Sequence, residues 1–170
     1  MLEIVYQYMP SALANIDRSQ LNAEIRKAQK NDIDVIVSIE NICFTHSRLT
    51  KKHFTYFLRK GNCDLLVGEI DGMITGYILI LYKQNSLKAR IYSIAVLPQF
   101  RNSGQGHFLI KEAITIAKNK GCHSIYLEME NTNYQAQNFY RKLGFRVTAI
   151  IPDYYGKGID ATKFIKSFSD

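Results

Sequence analysis

A chain of 170 residues is long enough for one domain that buries roughly 70% of its unfolded surface, and a hydrophobic share of 46% marks it as globular rather than disordered. The formal net charge of +7 suits an anionic partner, but the 22 lysines and arginines are scattered, so no nucleic-acid-binding face is expected. No apolar run approaches the ~20 residues of a membrane span. Glu3 and the lack of an early basic cluster argue against a signal peptide, and the unpatterned Cys43, Cys63 and Cys122 read as reduced thiols of a cytoplasmic protein.

Residues 1–22 read as an N-terminal extension, with alternating Leu2, Ile4, Tyr6 and Tyr8 ended by Pro10. From residue 23 to 170 the pattern is that of one domain. A strand over 23–28 leads to a helix capped by Asn31 or Asp32, with Ile33, Ile36, Val37 and Ile39 or Glu40 on or near its inner face. His46, Ser47 and Arg48 form a break, and Thr50 caps a second helix carrying Phe54, Phe57 and Leu58 on one side. Leu65–Ile70 and Ile74–Tyr82 read as a hairpin turned by Asp71-Gly72, and Arg90–Val96 as the next strand.

The third helix follows Gly104 and Gly106 and ends at Gly121. A strand over 123–129, a helix over 133–143 stopped by Gly144, and strands over 145–151 and 159–168 complete the chain, with a loop over 152–158. The order β-α-α-β-β-β-α-β-α-β-β predicts an α/β (α+β) domain with a mixed, mostly antiparallel sheet flanked by helices.

Chemistry concentrates between Ile94 and His107. An apolar strand ends at Pro98, a polar turn follows, and glycines stand where the first N–H groups of a helix have no internal partners. Such a junction attracts phosphate, and glycine lets the anion reach bare backbone. The dinucleotide fingerprint fails because Leu109 replaces its third glycine, and no Gly-Lys-Ser/Thr of a P-loop is present. His46, His53, His107 and His123 show no metal-ligand spacing, so no metal is expected.

What remains, Arg101-x-x-Gly104-x-Gly106, is similar to the acetyl-coenzyme A signature of the GNAT superfamily of N-acetyltransferases. The run Ala136-x-x-Phe139-Tyr140-x-Lys142-Leu143-Gly144-Phe145, with Tyr154-Tyr155 and Asp160-Ala161 beyond it, resembles the bacterial ribosomal-protein-alanine N-acetyltransferases in particular. The resemblance implies a sheet whose strands 90–96 and 123–129 splay to admit acetyl-CoA. It also implies acetyl transfer to a primary amine, most closely a protein N-terminal α-amine. The scattered charge and short apolar runs leave no nucleic acid and no membrane as expected partners. A small-amine acetyltransferase and a non-catalytic CoA-binding module are the alternatives.

Residue by residue, the resemblance assigns the diphosphate to Arg101, Asn102, Ser103, Gly104, Gln105, Gly106 and His107, and the pantetheine arm to the main chain of Ile94, Ala95 and Val96. The Val96 N–H would polarise the thioester oxygen. Asn133 would contact the coenzyme, Glu128 would be the general base with Glu130 in reserve, Tyr140 would be the general acid, and Tyr154 and Tyr155 would hold the acceptor. Two departures stand out: Asn102 replaces a frequent glycine, and Gln105 occupies a place where an apolar residue packs, so its buried amide needs partners.

Overall fold

The computed structural model describes residues 22–168. The extension and its alternating stretch before Pro10 lie outside the described residues. The elements follow the predicted order: β1 (Ala23–Lys27), α1 (Ile33–Cys43), α2 (Lys51–Arg59), β2 (Cys63–Ile70), β3 (Met73–Tyr82), β4 (Lys88–Val96), α3 (Gln105–Asn119), β5 (Ser124–Glu130), α4 (Tyr134–Lys142), β6 (Arg146–Ile151) and β7 (Ala161–Ser167). The seven strands form one sheet in the order β1-β2-β3-β4-β5-β7-β6. Its β1/β2, β5/β7 and β6/β7 pairs are antiparallel and β4/β5 is parallel. None of the described helices is long and apolar enough to cross a membrane.

The chain divides into two compact units of discontinuous segments. The first runs up to Lys60 and takes in Leu65–Tyr77 and Ile94–Leu109. Its core joins Ile33, Ile36 and Ile39 of α1 to Phe54, Leu66, Val67 and Tyr77, with Phe54 and Tyr77 meeting edge to face at 5.3 Å. Asp71 and Gly72 take φ of 49° and 77°, the two left-handed positions that a type I′ hairpin requires. Arg26 clamps Asp32 at 2.7 Å and Glu69 at 2.6 Å, tying β1 to β2 and to the turn before α1.

That clamp corrects one expectation. Asp32 stands at the start of α1 but does not cap it; its carboxylate turns back to Arg26 and to the Gln29 N–H at 2.7 Å. A short 3₁₀ turn over Lys30–Asp32 takes the capping chemistry instead, because a guanidinium offers a carboxylate more than a single N–H does. The α2 start follows expectation: His53 Nδ1 accepts from the Thr50 N–H at 3.0 Å.

The second unit comprises Gly61–Asp64, Ile78–Ser93 and the chain from Ile110 onward. Ile78, Leu79, Ile80, Ile110, Ile125, Leu127 and Phe164 fill its core. The end of α4 is a Schellman motif. Gly144 at φ 82° lets the Phe145 N–H reach the Tyr140 carbonyl at 3.0 Å, while the Gly144 N–H reaches that of Arg141 at 2.9 Å. The turn folds Phe145 onto the Tyr140 ring at 5.5 Å, so the run Tyr140-x-x-x-Gly144-Phe145 builds the tyrosine's own pocket.

Within this unit, β4 and β5 share rungs only at Lys88–Ser124, Ala89–Ile125 and Arg90–Tyr126. Past Arg90 and Tyr126 the two strands run on without further pairing. The expected splay therefore starts at Arg90.

Candidate active site

The turn before α3 has the backbone of an anion cradle. Asn102 and Gly104 take φ of 62° and 87°, and asparagine tolerates that region better than most side chains. The Gly104 carbonyl accepts from Phe108 N at 3.0 Å and so starts the helix. Among the described residues nothing accepts from the N–H groups of Asn102 through His107. A Cβ on Gly104 would meet only the Phe108 ring at 3.4 Å, so the surface over the turn is open. Ser103 Oγ donates to the Phe100 carbonyl at 2.6 Å, holding the turn.

The departure at Gln105 is resolved by partners further back in the chain. Its side chain is fully buried, and Nε2 donates to Thr75 Oγ1 at 3.0 Å while Thr75 donates to the Gly68 carbonyl at 3.2 Å. Gly68 is what makes room: a Cβ there would lie 2.3 Å from Gln105 Nε2. A glutamine under the helix is thus matched by a glycine in β2 and a threonine in β3.

Strand alternation sets the direction of the main chain of Ile94, Ala95 and Val96. Leu97 N donates to the Thr75 carbonyl at 2.9 Å, and a Cβ on Gly76 would lie 2.7 Å from the Ala95 oxygen. Ala95 and Leu97 therefore turn their polar groups toward β3, and Ile94 and Val96 turn theirs away from it. The Val96 carbonyl is already engaged, by Arg101 Nε and by Cys43 Sγ at 3.4 Å each, while its N–H points out on the same side. Arg101 thus braces the strand end.

In the second unit Glu128 is not a solvated strand residue. Its side chain is 7% exposed, with Oε2 accepting from Arg90 Nε at 2.9 Å and Oε1 3.7 Å from Lys163 Nζ. Tyr155 donates to the Glu128 main-chain oxygen at 3.1 Å, and Arg90 Nη2 donates to the Tyr154 hydroxyl at 2.6 Å. Both loop tyrosines are thereby tied to the Glu128 segment, Tyr155 through its main chain and Tyr154 through Arg90, with their rings edge to face at 4.9 Å. Burial pushes the Tyr155 phenol up to about 12.

Tyr140 is buried against Phe145 and Phe164, and burial, aided by the nearby Tyr155, pushes its phenol well above the usual range. It keeps its proton at working pH and so has an O–H to donate. Asn133 caps α4, its Oδ1 accepting from Ala136 N at 3.1 Å, which leaves its amide NH₂ as the group a ligand could use. Glu130 lies on the Glu128 side of β5, half-buried.

Sequence reasoning missed Arg90 and Lys163. Lys163 is the direct cross-strand partner of Glu128 in β7, and Arg90 occupies the last β4 rung beside β5. Only the register reveals either, since nothing in the spacing links residue 90 to 128 or 163. Among the described residues no group of three or more His, Cys, Asp or Glu side chains could hold a metal ion.

Compared with known proteins, residues 33–145 match the Acetyltransferase (GNAT) family. The chain belongs to the GNAT family. It is an acetyltransferase, and its fold is the seven-stranded, helix-flanked sheet of that family. An N-alpha-acetyltransferase of Sulfurisphaera tokodaii is 31% identical over 148 residues, covering 81% of this chain and 88% of that protein. A Bacillus subtilis protein named putative ribosomal protein bS18-alanine N-acetyltransferase is 33% identical over 134 residues, covering 78% and 87%. The crystal structure of Ard1 from Thermoplasma volcanium superposes with a TM-score of 0.79 at 26% identity, covering 87% of this chain and 99% of that one. The acetyl donor of a GNAT enzyme is acetyl-CoA, and the open, amide-lined turn at 102–107 fits the diphosphate of that donor.

Proposed function

We propose that this chain acetylates the α-amine of a protein or peptide N-terminus, a ribosomal-protein alanine being the nearest substrate type. The observation that carries the proposal is the convergence of Tyr154 and Tyr155 on Glu128, Tyr155 through the Glu128 main-chain oxygen and Tyr154 through Arg90, the cation that also pairs with the buried carboxylate. Sequence similarity to an N-alpha-acetyltransferase supports it. So does the energetics of the acceptor. At pH 7 an α-amine of pKa ~8 costs about 1.4 kcal/mol to deprotonate, whereas a lysine of pKa ~10.4 costs about 4.6 kcal/mol. A carboxylate acting through water is adequate for the first and poor for the second.

In this scheme the amides of 102–107 hold the diphosphate, with Asn133 as a further coenzyme contact, and the Val96 N–H polarises the thioester carbonyl. The neutral amine attacks that carbonyl carbon. As the C–N bond forms and the C–S bond breaks, Glu128 takes the ammonium proton through water and Tyr140 donates to the departing thiolate. A cytoplasmic setting suits the free thiols of Cys43, Cys63 and Cys122.

The test is CoA release with peptides bearing free or formylated N-termini, set against Nα-blocked lysine peptides and polyamines. Turnover confined to free α-amines is expected. Equal turnover on a blocked lysine peptide or on a polyamine would overturn the proposal.

A further inference from the structure

We infer that Arg90 is a positioning residue of the acceptor site, aiming the Glu128 carboxylate and the Tyr154 loop with one guanidinium. Its location sets it apart from other surface arginines. Arg90 is the last residue of β4 that shares a rung with β5, so it stands at the vertex where the two strands part. Glu128 is two residues further along β5 from its rung partner Tyr126, on the same face of the strand.

From that vertex the guanidinium reaches in two directions. Nε donates to Glu128 Oε2 at 2.9 Å and Nη2 to the Tyr154 hydroxyl at 2.6 Å, while the cation lies 5.1 Å from the Tyr92 ring centroid. Its side chain is 28% exposed, close enough to solvent to face an incoming acceptor. A planar fork can serve two acceptors at fixed angles, and a lysine ammonium on a flexible stem cannot reproduce that geometry. Lys163, the other cation, lies 3.7 Å from the second carboxylate oxygen and 4.4 Å from the Tyr126 ring centroid, so it holds charge near Glu128 but makes no hydrogen bond to Tyr154. Tyr155 docks on the Glu128 main chain and packs edge to face on Tyr154, but its hydroxyl makes no bond to Arg90. Arg90 is therefore the side chain that links the Tyr154 hydroxyl to the carboxylate.

The inference rests on Glu128 and Tyr154 forming the acceptor site, and its test separates the two. Steady-state kinetics would be measured for R90M, R90K, Y154F, E128Q and the R90M/Y154F double variant, varying peptide and acetyl-CoA in turn. In R90M both arms are lost: acceptor KM rises about tenfold and kcat falls about tenfold, with acetyl-CoA KM changed less than about twofold. Y154F raises acceptor KM alone, and the double variant shows the acceptor KM of R90M rather than the product of the two effects. R90K keeps the charge and the fold but not the fork, so its acceptor KM stays raised.

An acceptor KM unchanged in R90M or R90K overturns the inference, as do multiplicative effects in the double variant. If R90M does not fold, R90K and Y154F carry the same comparison. A wild-type kcat in E128Q would instead remove the base assignment, while leaving the Arg90–Tyr154 coupling to be read from KM.

Discussion

Replacing Gly68 by alanine tests how α3 is seated. The added Cβ would lie 2.3 Å from Gln105 Nε2, 3.1 Å from its Cδ and 3.2 Å from Ile25 Cδ1. The amide is the part that must give, and it is fully buried, so moving it breaks the bond to Thr75 Oγ1 with no water to replace it. Leaving that donor unsatisfied costs about 1–3 kcal/mol. For a chain of this length the melting temperature should fall by roughly 2–12 °C. Because Gln105 is the first residue of α3, the displacement also disturbs the amide cradle, and the KM for acetyl-CoA should rise while the acceptor KM holds. Truncating the amide removes the clash, so G68A/Q105A should be less destabilised than the sum of G68A and Q105A. Thermal melts and thiol-release kinetics of the three variants decide it. A wild-type melting temperature for G68A, or strict additivity in the pair, would refute the proposed accommodation.

Gly104→Val forces a β-branched residue into φ +87°; it should weaken acetyl-CoA binding at least about tenfold by calorimetry. Tyr140→Phe keeps the ring packed on Phe145 and Phe164, so the melting temperature should barely move while kcat falls about a hundredfold in the thiol-release assay. Glu40 is held above the ordinary carboxylate range by burial, against the opposing pull of the Leu49 N–H, the Tyr77 hydroxyl and Arg48. Between the unfolded and the raised folded value, the folded protein therefore keeps a proton that the unfolded chain has released. The stability this contributes is full below the unfolded pKa of ~4.3 and is lost as pH rises through the raised folded value. Glu40→Gln should flatten that fall in urea titrations run across the window.

The order of elements was legible because local chemistry and burial agree along most of the chain. Asp71-Gly72 is a hairpin turn whether or not its strands are seen, and Gly144-Phe145 ends a helix and folds a ring back onto Tyr140 in the same step. The bare N–H groups before α3 were readable for the same reason: a helix start after glycines leaves them unpaired by the helix wherever it occurs. Asp32 was misplaced because local rules rank capping first, and the competing cation, Arg26, lies on a separate strand. Gln105 looked like a defect because its partners, Thr75 and Gly68, stand 30 and 37 positions back and act only through space.

The chemistry around Glu128 was half legible, and the division has a physical cause. A carboxylate on an alternating strand can be found from sequence, but the groups that aim it are chosen by register. Lys163 faces Glu128 across the β5/β7 ladder, and Arg90 reaches it from the last rung of the only parallel pair identified above. A one-residue slip in either ladder would turn these cations to the opposite face of the sheet. The register that seals the core thus also delivers charge to Glu128. With Glu128 as the proposed base, mutations that loosen the β5/β7 pairing should lower thiol-release activity before they lower the melting temperature, because misplacing a catalytic group by ~1 Å can cost about a hundredfold in rate.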